Sequence, residues 1–443
     1  MKLQIKLNKN LSNFHTKIKT KNMSFKKSVH IISGGTVSHV RTHLALAAVA
    51  YGTTGRRLRD LCEAHSEELD VNLHLTKMAN SGRGKMETPN DVLELVNTLK
   101  EDVNTKIIFM SAAIADYKGY VVDNSSKSTS GKYATRLKSR DGKQLLVIEP
   151  EIKILKSIRE KRKDIFLVGF KTTSGLSEQE QYIAGLNLLK ETSCNLVFSN
   201  DVITRKNMII TPEEEKYHVT TNRMEALTNL VDMAYLRSHV SFTRSTVIAG
   251  ESIPWASEIV PDALREVVNH CIKNGAYKVF RGATVGHFAC RIGKTTFLTS
   301  KRKTNFNDLP RIGLVKVETS GPDSVMAYGS KPSVGGQSQR IIFNEHSDYD
   351  CIVHFHCPIK TGSPVPVASQ REYECGSHEC GKNTSNNLKQ FGNLSAVYLD
   401  KHGPNIVFNS KINPQEVIDF IEQNFDLSQK TGGPVKLEFQ TTI

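Results

Sequence analysis

The sequence predicts an α/β protein with two folded regions, a doubly wound parallel sheet followed by a mostly antiparallel sheet. As far as residue 240, short apolar runs alternate with helix-length amphipathic segments, which is typical of a Rossmann-like parallel sheet. The alternation stops over residues 241–255, which we interpret as a linker. Beyond the linker the strands are short and hairpin-like, and hairpins pair their strands in antiparallel fashion.

The first region divides into elements in chain order. Thr88 is the expected N-cap of its helix, with Pro89 at the first helical position. Ligands of a parallel sheet bind beyond the carboxyl ends of its strands, where we expect "ISGG", "SAAIADY", "GFKTTSG" and "FSNDV" to meet. The predicted strands lie at 28–35, 70–77, 105–117 (with the loop that ends it), 165–172 and 194–201, and the helices at 54–68, 88–102, 149–164, 177–192 and 222–240.

The second region is expected to begin with a helix in "EIVPDALREVVNHCIKNGA" and to end with a helix at 413–427. Short strands lie between them, in "VFRGATVGHFACRIGKTTFLTS", "RIGLVKVETSG", "DCIVHFHCP", "LSAVYLDKHG" and "NIVFNS". The predicted organisation is a basic disordered tail (1–28), a nucleotide-binding domain (29–240), the linker (241–255), a second α/β domain (256–427) and a C-terminal tail (428–443).

The net charge of +14 is concentrated at the start of the chain. Residues 1–59 contain twelve Lys or Arg and no acid, which leaves 47 basic and 45 acidic residues in the remainder. A nucleic-acid-binding function is therefore disfavoured, because the folded body is nearly neutral. The tail could be a basic arm that touches phosphates, a weak organelle-targeting sequence, or a disordered extension upstream of Met23, and the last interpretation is favoured.

Other features of the composition indicate a cytoplasmic protein. The eight cysteines are scattered through apolar segments, which suits reduced thiols better than a disulfide framework. No apolar run approaches the ~20 residues of a membrane span, so no membrane association is expected.

Two glycine motifs in the first region could approach a phosphate. Gly34 and Gly35 follow a strand in "SGGT", and Gly55 and Arg56 open a helix in "TTGRRL". Backbone N–H groups and a guanidinium group at a helix start both favour anions. The alternatives are an ordinary glycine turn and a solvated helix start.

The motif series "SGGT…TTGRRL…SAAIADYK…RLK…EPEI…VGFKTTSG…SND" resembles the phosphopantothenate–cysteine ligase family over about residues 29–233. The resemblance implies that CTP or ATP, with Mg²⁺, activates 4′-phosphopantothenate as an acyl-nucleotidylate, from which cysteine displaces the nucleotide. It also implies a set of binding residues. On the phosphate side these are Gly34, Gly35, Thr36, Gly55 and Arg56, and the nucleotide residues are Asp116, Pro150, Glu151, Ile152, Lys153, Phe170, Lys190 and Asn200.

The chain departs from this family at two catalytic positions. The family's "N-x-S-S-G" loop reads "YGTTG" here, so Tyr51 stands where an Asn acts on the acyl intermediate. The lysine of the "K-[IL]-K" loop is replaced by Arg136, which leaves Lys138 as the second cation. Arg keeps the charge but not the compact geometry of an ammonium group. Nucleotide binding is therefore better supported than complete turnover.

The second region contains three histidines with a spacing suited to a metal. His354 and His356 in "VHFHCP" project from the same face of a strand, and His402 follows in "LDKHG". Three protein ligands and one open position are typical of catalytic Zn²⁺. The alternative is that the histidines are core residues.

Residues 256–427 resemble the class II aldolase/adducin family through "NGAYKVFRGATVGHFACRI", "FLTS", "KPSVGG", "VHFHCP" and "LDKHG". The resemblance implies an α/β/α domain in which His354, His356 and His402 hold Zn²⁺ or another divalent metal, which polarises a substrate carbonyl. Two motifs differ from the family. Gly335 stands at the position of the general-base Glu, and the phosphate-binding "G-N-[IVL]-S" loop reads "GHFA" at 286–289.

An insert at 371–384 brings further candidate groups between the histidines. One of Glu372, Glu374, His378 and Glu379 could replace the missing base, and Glu379 is our candidate catalytic residue. Alternatively, Cys375, His378 and Cys380 could form a second soft-metal site, or the insert could be a plain structured loop.

Two classes of function follow from these observations. The first is a bifunctional metabolic enzyme, a homo-oligomer whose substrates are 4′-phosphopantothenate, cysteine and a nucleotide in one domain and a small carbonyl compound in the other. The second is a non-catalytic scaffold that binds nucleotide and metal on the same two folds.

Overall fold

The computed structural model describes residues 26–65, 67, 69–122, 130–321, 324–333 and 336–433. Most of the predicted basic tail, 1–25, therefore lies outside the described residues, as do Gly335 and residues 434–443. Within the described part, no helix combines the length and the apolar character that crossing a membrane requires.

The first region forms the predicted parallel sheet with helices on both faces. Its helices are α1 (Thr53–Glu63), α2 (Pro89–Glu101), α3 (Ile154–Lys161), α4 (Glu178–Thr192) and α5 (Arg223–Ser238). Its strands are β1 (Ser28–Gly35), β2 (Val37–Arg41), β3 (Leu44–Ala47), β4 (Asp70–Leu75), β5 (Thr105–Ala113), β6 (Tyr117–Val122), β7 (Leu145–Pro150), β8 (Phe166–Thr173), β9 (Leu196–Asp201), β10 (Asn207–Ile210) and β11 (Lys216–Thr220).

Seven of these strands form one sheet in the order β11-β10-β9-β8-β5-β1-β4. The pairs from β9 to β4 are parallel, and β10 and β11 extend the sheet in antiparallel fashion. β2 pairs with β3, and β6 with β7, as separate hairpins.

Strand alternation places the core on both faces of this sheet. Ile31 packs with Leu58 of α1 and Leu230 of α5, whereas its neighbour Ile32 packs with side chains of α2, α3 and α4. Both faces are covered, which is why the strands are apolar runs without polar alternation. The predicted doubly wound arrangement is confirmed.

The helix starts follow from local sequence. Thr88 caps α2 through a capping box with Asp91, and Pro89 occupies the first turn, as predicted. Ser177 and Glu180 form the same reciprocal box at the start of α4. These caps satisfy N–H groups that have no partner within the helix.

The second region contains α6 (Asp262–Lys273), α7 (Leu309–Ile312), α8 (Gly336–Glu345), α9 (His378–Asn387) and α10 (Pro414–Asn424). Its strands are β12 (Arg244–Ile248), β13 (Val279–Phe280), β14 (Ala283–Thr284), β15 (His287–Arg291), β16 (Thr296–Thr299), β17 (Val315–Gly321), β18 (Ser324–Tyr328), β19 (Cys351–His354), β20 (Val367–Ala368), β21 (Lys389–Phe391), β22 (Leu394–Leu399) and β23 (Gly403–Phe408).

The main sheet of the second region is mostly antiparallel, as predicted. Its strand order is β12-β18-β17-β16-β15-β19-β23-β22-β20, and β21 pairs with β22. Only the outer pairs β12–β18 and β20–β22 are parallel. The strands that carry the histidine motifs, β19, β22 and β23, are therefore neighbours or joined by a tight turn.

Two segments that were expected to be a linker and a tail are partly built into the folded structure. Within the expected linker 241–255, residues 244–248 form β12 at the edge of the second sheet. Within the expected C-terminal tail, Lys430 and Thr431 are buried. Both segments therefore pack with the folded part of the chain. The division into domains itself stays a prediction.

Candidate functional site

The carboxyl ends of β1, β5, β8 and β9 lie at one edge of the first sheet because these strands are parallel. This edge therefore collects the four predicted segments. Thr36 connects two of them, since its hydroxyl donates to the carbonyl of Ala113 at 3.2 Å and accepts from the N–H of Ala115 at 2.8 Å. A small hydroxyl residue directly after the glycines thus fixes the loop that follows β5.

Gly34 and Gly35 are required by close packing as well as by any ligand. Gly34 has a φ of 111°, which favours glycine. A Cβ on Gly35 would lie 2.1 Å from the carbonyl oxygen of Ala48, and the Gly35 N–H donates to the carbonyl of Ala50 at 2.7 Å. The Gly35 amide is therefore bonded within the protein.

The start of α1 approaches the same edge. A Cβ on Gly55 would lie 2.3 Å from the Cβ of Ser33, so this glycine lets the helix contact β1. Gly52 is the N-cap and provides no side-chain hydrogen bond to the first turn. Arg56 donates to the carbonyls of Tyr51 at 2.9 Å and Ala79 at 2.5 Å, so its guanidinium group braces the surrounding loops.

A cationic residue that the sequence analysis missed lies beside this helix start. Arg223, at the beginning of α5, donates to the hydroxyl of Thr54 at 2.8 Å and stacks over Phe198 with its guanidinium carbon 5.4 Å from the ring centroid. Phe198 in turn contacts Phe170 at 5.5 Å between centroids. Burial and the charge of Arg57 lower the pKa of Arg223. No sequence signal separated it from an ordinary helix-start arginine.

The two predicted nucleotide segments after β5 and β7 meet at the surface. Asp116 and Lys153 form an exposed ion pair of 2.7 Å, and the N–H of Glu151 donates to the Asp116 carbonyl at 2.8 Å. The hairpin pairing of Tyr117 with Pro150 brings the segments together. An exposed pair contributes little stability, so a ligand could displace it at low cost.

Other predicted residues of this site vary in position. Asn200, near the end of β9, is buried and accepts from the hydroxyl of Thr172 at 3.4 Å. Arg136 and Lys138 are exposed in the segment between β6 and β7. Tyr51 precedes α1 and is 69% exposed.

Lys190 is not brought together with the other predicted nucleotide residues. It lies in the last turn of α4, which returns the chain from the end of β8 to the beginning of β9, at the opposite edge of the sheet. Its ammonium group pairs with Glu214 at 2.8 Å and donates to the carbonyl of Pro212 at 3.2 Å. A helix of this length separates its two ends by about 20 Å, which the sequence motif alone does not show.

The three histidines of the second region converge, as the sequence predicted. His354 ends β19, and the intervening Phe355 packs into the core against Phe425. His402 lies in the turn between β22 and β23, and β23 pairs with β19. All three imidazoles are buried, and one candidate ligand atom from each lies within 4.8 Å of the others.

The tautomer of His354 is fixed by its surroundings. Its Nδ1 must donate to the carbonyl of Pro404, 2.7 Å away, which leaves a lone pair on Nε2. That Nε2 lies 3.2 Å from the Nε2 of His402. Two ligands of a tetrahedral Zn²⁺ with bonds of about 2.0–2.1 Å would be separated by about 3.3 Å.

The electrostatic environment keeps these imidazoles neutral. Burial lowers the pKa of His354 to about 4 and holds the pKa values of His356 and His402 well below the ordinary value. The Nδ1 atoms of His356 and His402 are buried without a hydrogen-bond partner. Neutral imidazoles with available nitrogens are the donors that Zn²⁺ prefers, so the residues fit a divalent metal.

A fourth histidine adjoins this cluster. His287 is paired in register with His354 across β15 and β19, and the two ring centroids are 4.7 Å apart. Its Nδ1 is hydrogen-bonded to the side-chain amide of the buried Gln339. In the sequence this histidine stands out only as a departure in "GHFA", because the pairing of β15 with β19 is not evident there.

The candidate base from the insert lies elsewhere. Glu379 accepts from the N–H of Ser241 at 2.9 Å and from its hydroxyl at 3.0 Å, so its carboxylate caps the segment after α5. Among the described contacts, none joins Glu379 to the three histidines. The geometry therefore does not support a catalytic role for Glu379, and Gly335 lies outside the described residues.

The alternative soft-metal site is not assembled. Within the ranges that the structure describes, the only cluster of three or more potential metal ligands is His354, His356 and His402. His378 instead bonds to the hydroxyl of Thr243 at 2.8 Å, and Cys380 contacts the amide of Gln370. All eight cysteines are free, and seven of them are buried.

The first region is similar to proteins of pantothenate and coenzyme A metabolism. Residues 26–233 match the family model described as "DNA/pantothenate metabolism flavoprotein C-terminal domain", which confirms the predicted resemblance there. The coenzyme A biosynthesis bifunctional protein CoaBC of Thermococcus kodakarensis is 25% identical over 179 residues, 39% of this chain. The match covers 41% of that relative's length.

Solved structures resemble parts of the chain at lower sequence identity. The DNA/pantothenate metabolism flavoprotein from Streptococcus pneumoniae aligns with 19% identity and a TM-score of 0.39, over 47% of this chain and 99% of its own. An L-fuculose 1-phosphate aldolase aligns with 18% identity and a TM-score of 0.29, over 38% of this chain and 84% of its own. We therefore interpret the second region from its own geometry.

Proposed function

We propose that the chain is a bifunctional metabolic enzyme. Residues 29–240 would form a nucleotide-dependent ligase of the phosphopantothenate–cysteine type. Residues 256–427 would form a metal-dependent lyase that acts on a small carbonyl compound, with or without a phosphate group. The observation that carries the first activity is the family match over 26–233, and the converged histidines carry the second.

The ligase proposal assigns roles to residues at the carboxyl edge. CTP or ATP, with Mg²⁺, would supply the nucleotidyl group that activates the carboxylate of 4′-phosphopantothenate, with pyrophosphate leaving before cysteine attacks. Asp116 and Lys153 lie where they could exchange their mutual ion pair for contacts with the nucleotide. Arg223 and Phe170 offer a cation and a ring beside the start of α1. Arg136 and Lys138 are exposed cations suited to leaving phosphates.

The lyase proposal rests on the chemistry of neutral imidazoles. His354, His356 and His402 would hold Zn²⁺ or another divalent ion, which supplies Lewis-acid polarisation of a carbonyl. The Pro404 carbonyl orients His354, as carbonyl groups commonly orient metal-binding histidines. His287 extends the polar surface next to these ligands and could hydrogen-bond to a substrate oxygen.

A second candidate function is a non-catalytic scaffold that binds nucleotide and metal. Two observations favour it. Tyr51 stands where an Asn is expected at the acyl intermediate, and the Glu379 carboxylate, our candidate for the missing base, is bonded to Ser241. On this reading both binding sites persist without turnover.

We further propose a homo-oligomer in the cytoplasm. Apolar side chains on the β6–β7 hairpin are exposed, with Leu145 at 64% and Val122, directly opposite it on β6, at 45%. Adjacent exposed apolar residues mark protein–protein contacts, and a second copy of the chain would cover them. The cytoplasmic assignment rests on the eight free thiols.

A binding experiment on the full chain tests both domains. CTP or ATP with Mg²⁺ should raise the melting temperature, by mass action on the folded state. Elemental analysis should find about one divalent metal ion per chain. If millimolar nucleotide has no effect, the ligase proposal is wrong for binding as well as for chemistry. If neither purified nor zinc-supplemented protein retains metal, the lyase proposal is wrong.

A further inference from the structure

The first domain is packed against the elements that carry the three histidines. Arg237, in the last turn of α5, donates to the carbonyls of Gln370 at 3.2 Å and Arg371 at 2.9 Å. The same guanidinium group pairs with Glu213 at 2.9 Å, and both side chains are fully buried. A buried ion pair at the domain junction ties the end of α5 to the insert of the second domain.

The histidine turn is also held by the first domain. Lys401, next to His402, has a φ of 56° and places its ammonium group 4.8 Å from the ring centroid of Tyr217 in β11. The positive charges of Arg237 and Lys430 reinforce burial in lowering the pKa of His402. The turn between β22 and β23 thus lies between its own sheet and the first domain.

The segment 427–433 completes this enclosure; we call it the strap. The N–H of Thr431 donates to the carbonyl of His356 at 3.1 Å. The ammonium group of Lys430 lies 3.1 Å from the Glu214 carboxylate, with both side chains at most 2% exposed. A Cβ on Gly432 would lie 2.4 Å from the Glu214 carbonyl oxygen, so only glycine permits this approach.

The strap therefore connects a candidate metal ligand to the first domain through one buried charge pair. Glu214 belongs to the turn between β10 and β11, and it also pairs with Lys190, which explains why that lysine lies away from the nucleotide edge. Removing one partner of such a pair leaves a buried charge without compensation, whereas removing both does not. Substituting either Glu214 or Lys430 should consequently open the contact between the strap and the first domain.

We propose that the first domain and the strap close the three-histidine site, and that the contact between Glu214 and Lys430 is the latch that opens before a small molecule reaches it. This inference rests on the metal site of the proposed function. It also links the two domains physically, because binding at the three-histidine site of the second domain depends on how the first domain is docked against it.

The rate of zinc removal tests the latch. The full chain is loaded with Zn²⁺, the chromogenic chelator 4-(2-pyridylazo)resorcinol is added in excess, and release is followed with time. Glu214→Gln and Lys430→Met should retain the same zinc content but release it about tenfold faster, which corresponds to about 1.4 kcal/mol of opening free energy. Unchanged release rates would overturn the latch.

The matched control is another carboxylate that pairs with two lysines. Glu87, in the loop before α2, pairs with Lys77 at 3.0 Å and Lys132 at 2.6 Å, and none of its described contacts involves residues 427–433. Glu87→Gln should therefore release zinc at the rate of the unmodified protein. The double variant Glu214→Gln/Lys430→Met leaves no buried charge unpaired, because Lys190, the other partner of Glu214, is 31% exposed and can be solvated. It should melt close to the unmodified protein while still releasing zinc faster.

Hydrogen exchange in the unmodified protein gives an independent measurement should a variant fail to fold. Bound zinc should slow exchange in peptides that span 427–433 and 211–215, relative to peptides at the carboxyl edge of the first sheet. Equal exchange with and without zinc would overturn the coupling. A protein that binds no zinc would instead refute the metal site itself, so the two failures are distinguishable.

Discussion

His354 and His402 face each other through their Nε2 atoms, which lie 3.2 Å apart in a buried site. Because Nδ1 of His354 donates to the Pro404 carbonyl, the facing nitrogen carries a lone pair. The contact is then either a hydrogen bond from Nε2–H of His402 or a pair of lone pairs that a shared cation would satisfy. The third imidazole favours the second arrangement, because the His356 ring lies against both, with centroid distances of 5.1 Å to His354 and 4.8 Å to His402.

The first prediction is that His354→Ala and His402→Ala abolish stoichiometric metal binding. Elemental analysis of the unmodified protein should give about one zinc-like ion per chain, because three neutral imidazoles suffice for a tetrahedral site with one open position. His346→Ala is the matched control, since His346 in the same domain bonds to Ser385 instead. Equal metal content in all variants, or none in the unmodified protein, would identify the histidines as core residues.

The histidine site was predictable because it depends on local rules. The chain continues to alternate as it leaves β19, so that His354 and His356 project to one side and Phe355 to the other. The spacing of His354 and His356 and the presence of a later histidine were therefore enough to predict the three-histidine site. The orienting Pro404 carbonyl and the neighbouring His287 depend on strand pairing, which apolar periodicity does not specify.

In the first sheet, too, contacts between residues that are distant in sequence could not be predicted. Alternating apolar runs predicted the parallel strands and the edge where the loops meet, and Thr88 predicted a helix start. Arg223 and Thr54 are 169 residues apart in sequence, so only the fold reveals their contact. The expectation that Lys190 lies with the nucleotide residues met the same limit. A motif gives the order of residues along the chain, but Lys190 stands at the end of α4, which is at the opposite edge of the sheet.

The second prediction concerns nucleotide binding. Arg223→Ala and Asp116→Ala should each reduce the melting shift caused by CTP or ATP, because one removes the cation at the start of α1 and the other the partner of Lys153. A ligand at 100 times its dissociation constant stabilises by about 2.7 kcal/mol, so a tenfold loss of affinity is measurable. The full chain should be used, since Arg237 ties the first domain to the second.

The control for nucleotide binding is Glu149→Ala, which removes another exposed ion pair of the same hairpin, that with Lys118. It should leave the ligand-induced shift unchanged. Arg56→Ala should behave differently again and lower the melting temperature without ligand, because Arg56 braces the carbonyls of Tyr51 and Ala79. Identical shifts in every variant would place the nucleotide elsewhere.

The third prediction concerns Tyr51. If this residue replaces a catalytic Asn, the protein should release pyrophosphate from CTP or ATP in the presence of 4′-phosphopantothenate but form little amide with cysteine. Tyr51→Asn should then increase amide formation, with little effect on folding because the side chain is largely exposed. Chromatographic product analysis separates the two steps. Efficient amide formation by the unmodified protein would show that another donor performs the role.

The fourth prediction concerns assembly through the β6–β7 hairpin. The purified protein should have a mass that is a multiple of 49.4 kDa in light scattering. Leu145→Ser/Val122→Ser should shift it towards the monomer, because these exposed apolar residues lie directly opposite each other on β7 and β6. Val103→Ser, at an exposed apolar residue before β5, should leave the mass unchanged. A monomeric unmodified protein would contradict the proposed homo-oligomer.

The fifth prediction concerns the pH dependence of stability at Glu374. Burial raises the pKa of this carboxyl group to about 7, although its Oε2 accepts from the side chain of Asn195 at 2.8 Å; the negative charge of Glu213 adds to the rise. The folded state therefore binds a proton more tightly than the unfolded chain, whose Glu has a pKa of about 4.3. The resulting stabilisation is present below about pH 4.3 and is lost as pH rises through about 7.

Glu374→Gln should accordingly raise the melting temperature at pH 8, by roughly 2–4 °C, and change it little at pH 5, because the amide stays neutral at both values and can still accept from Asn195. Calorimetric scans at the two pH values measure the difference. Glu372→Gln is the matched control, since Glu372 bonds to the hydroxyl of Ser369 at the surface of the same insert. A Glu374→Gln effect that is equal at both pH values would mean that the carboxyl group is ionised throughout, and that Arg237 compensates its charge across the domain junction.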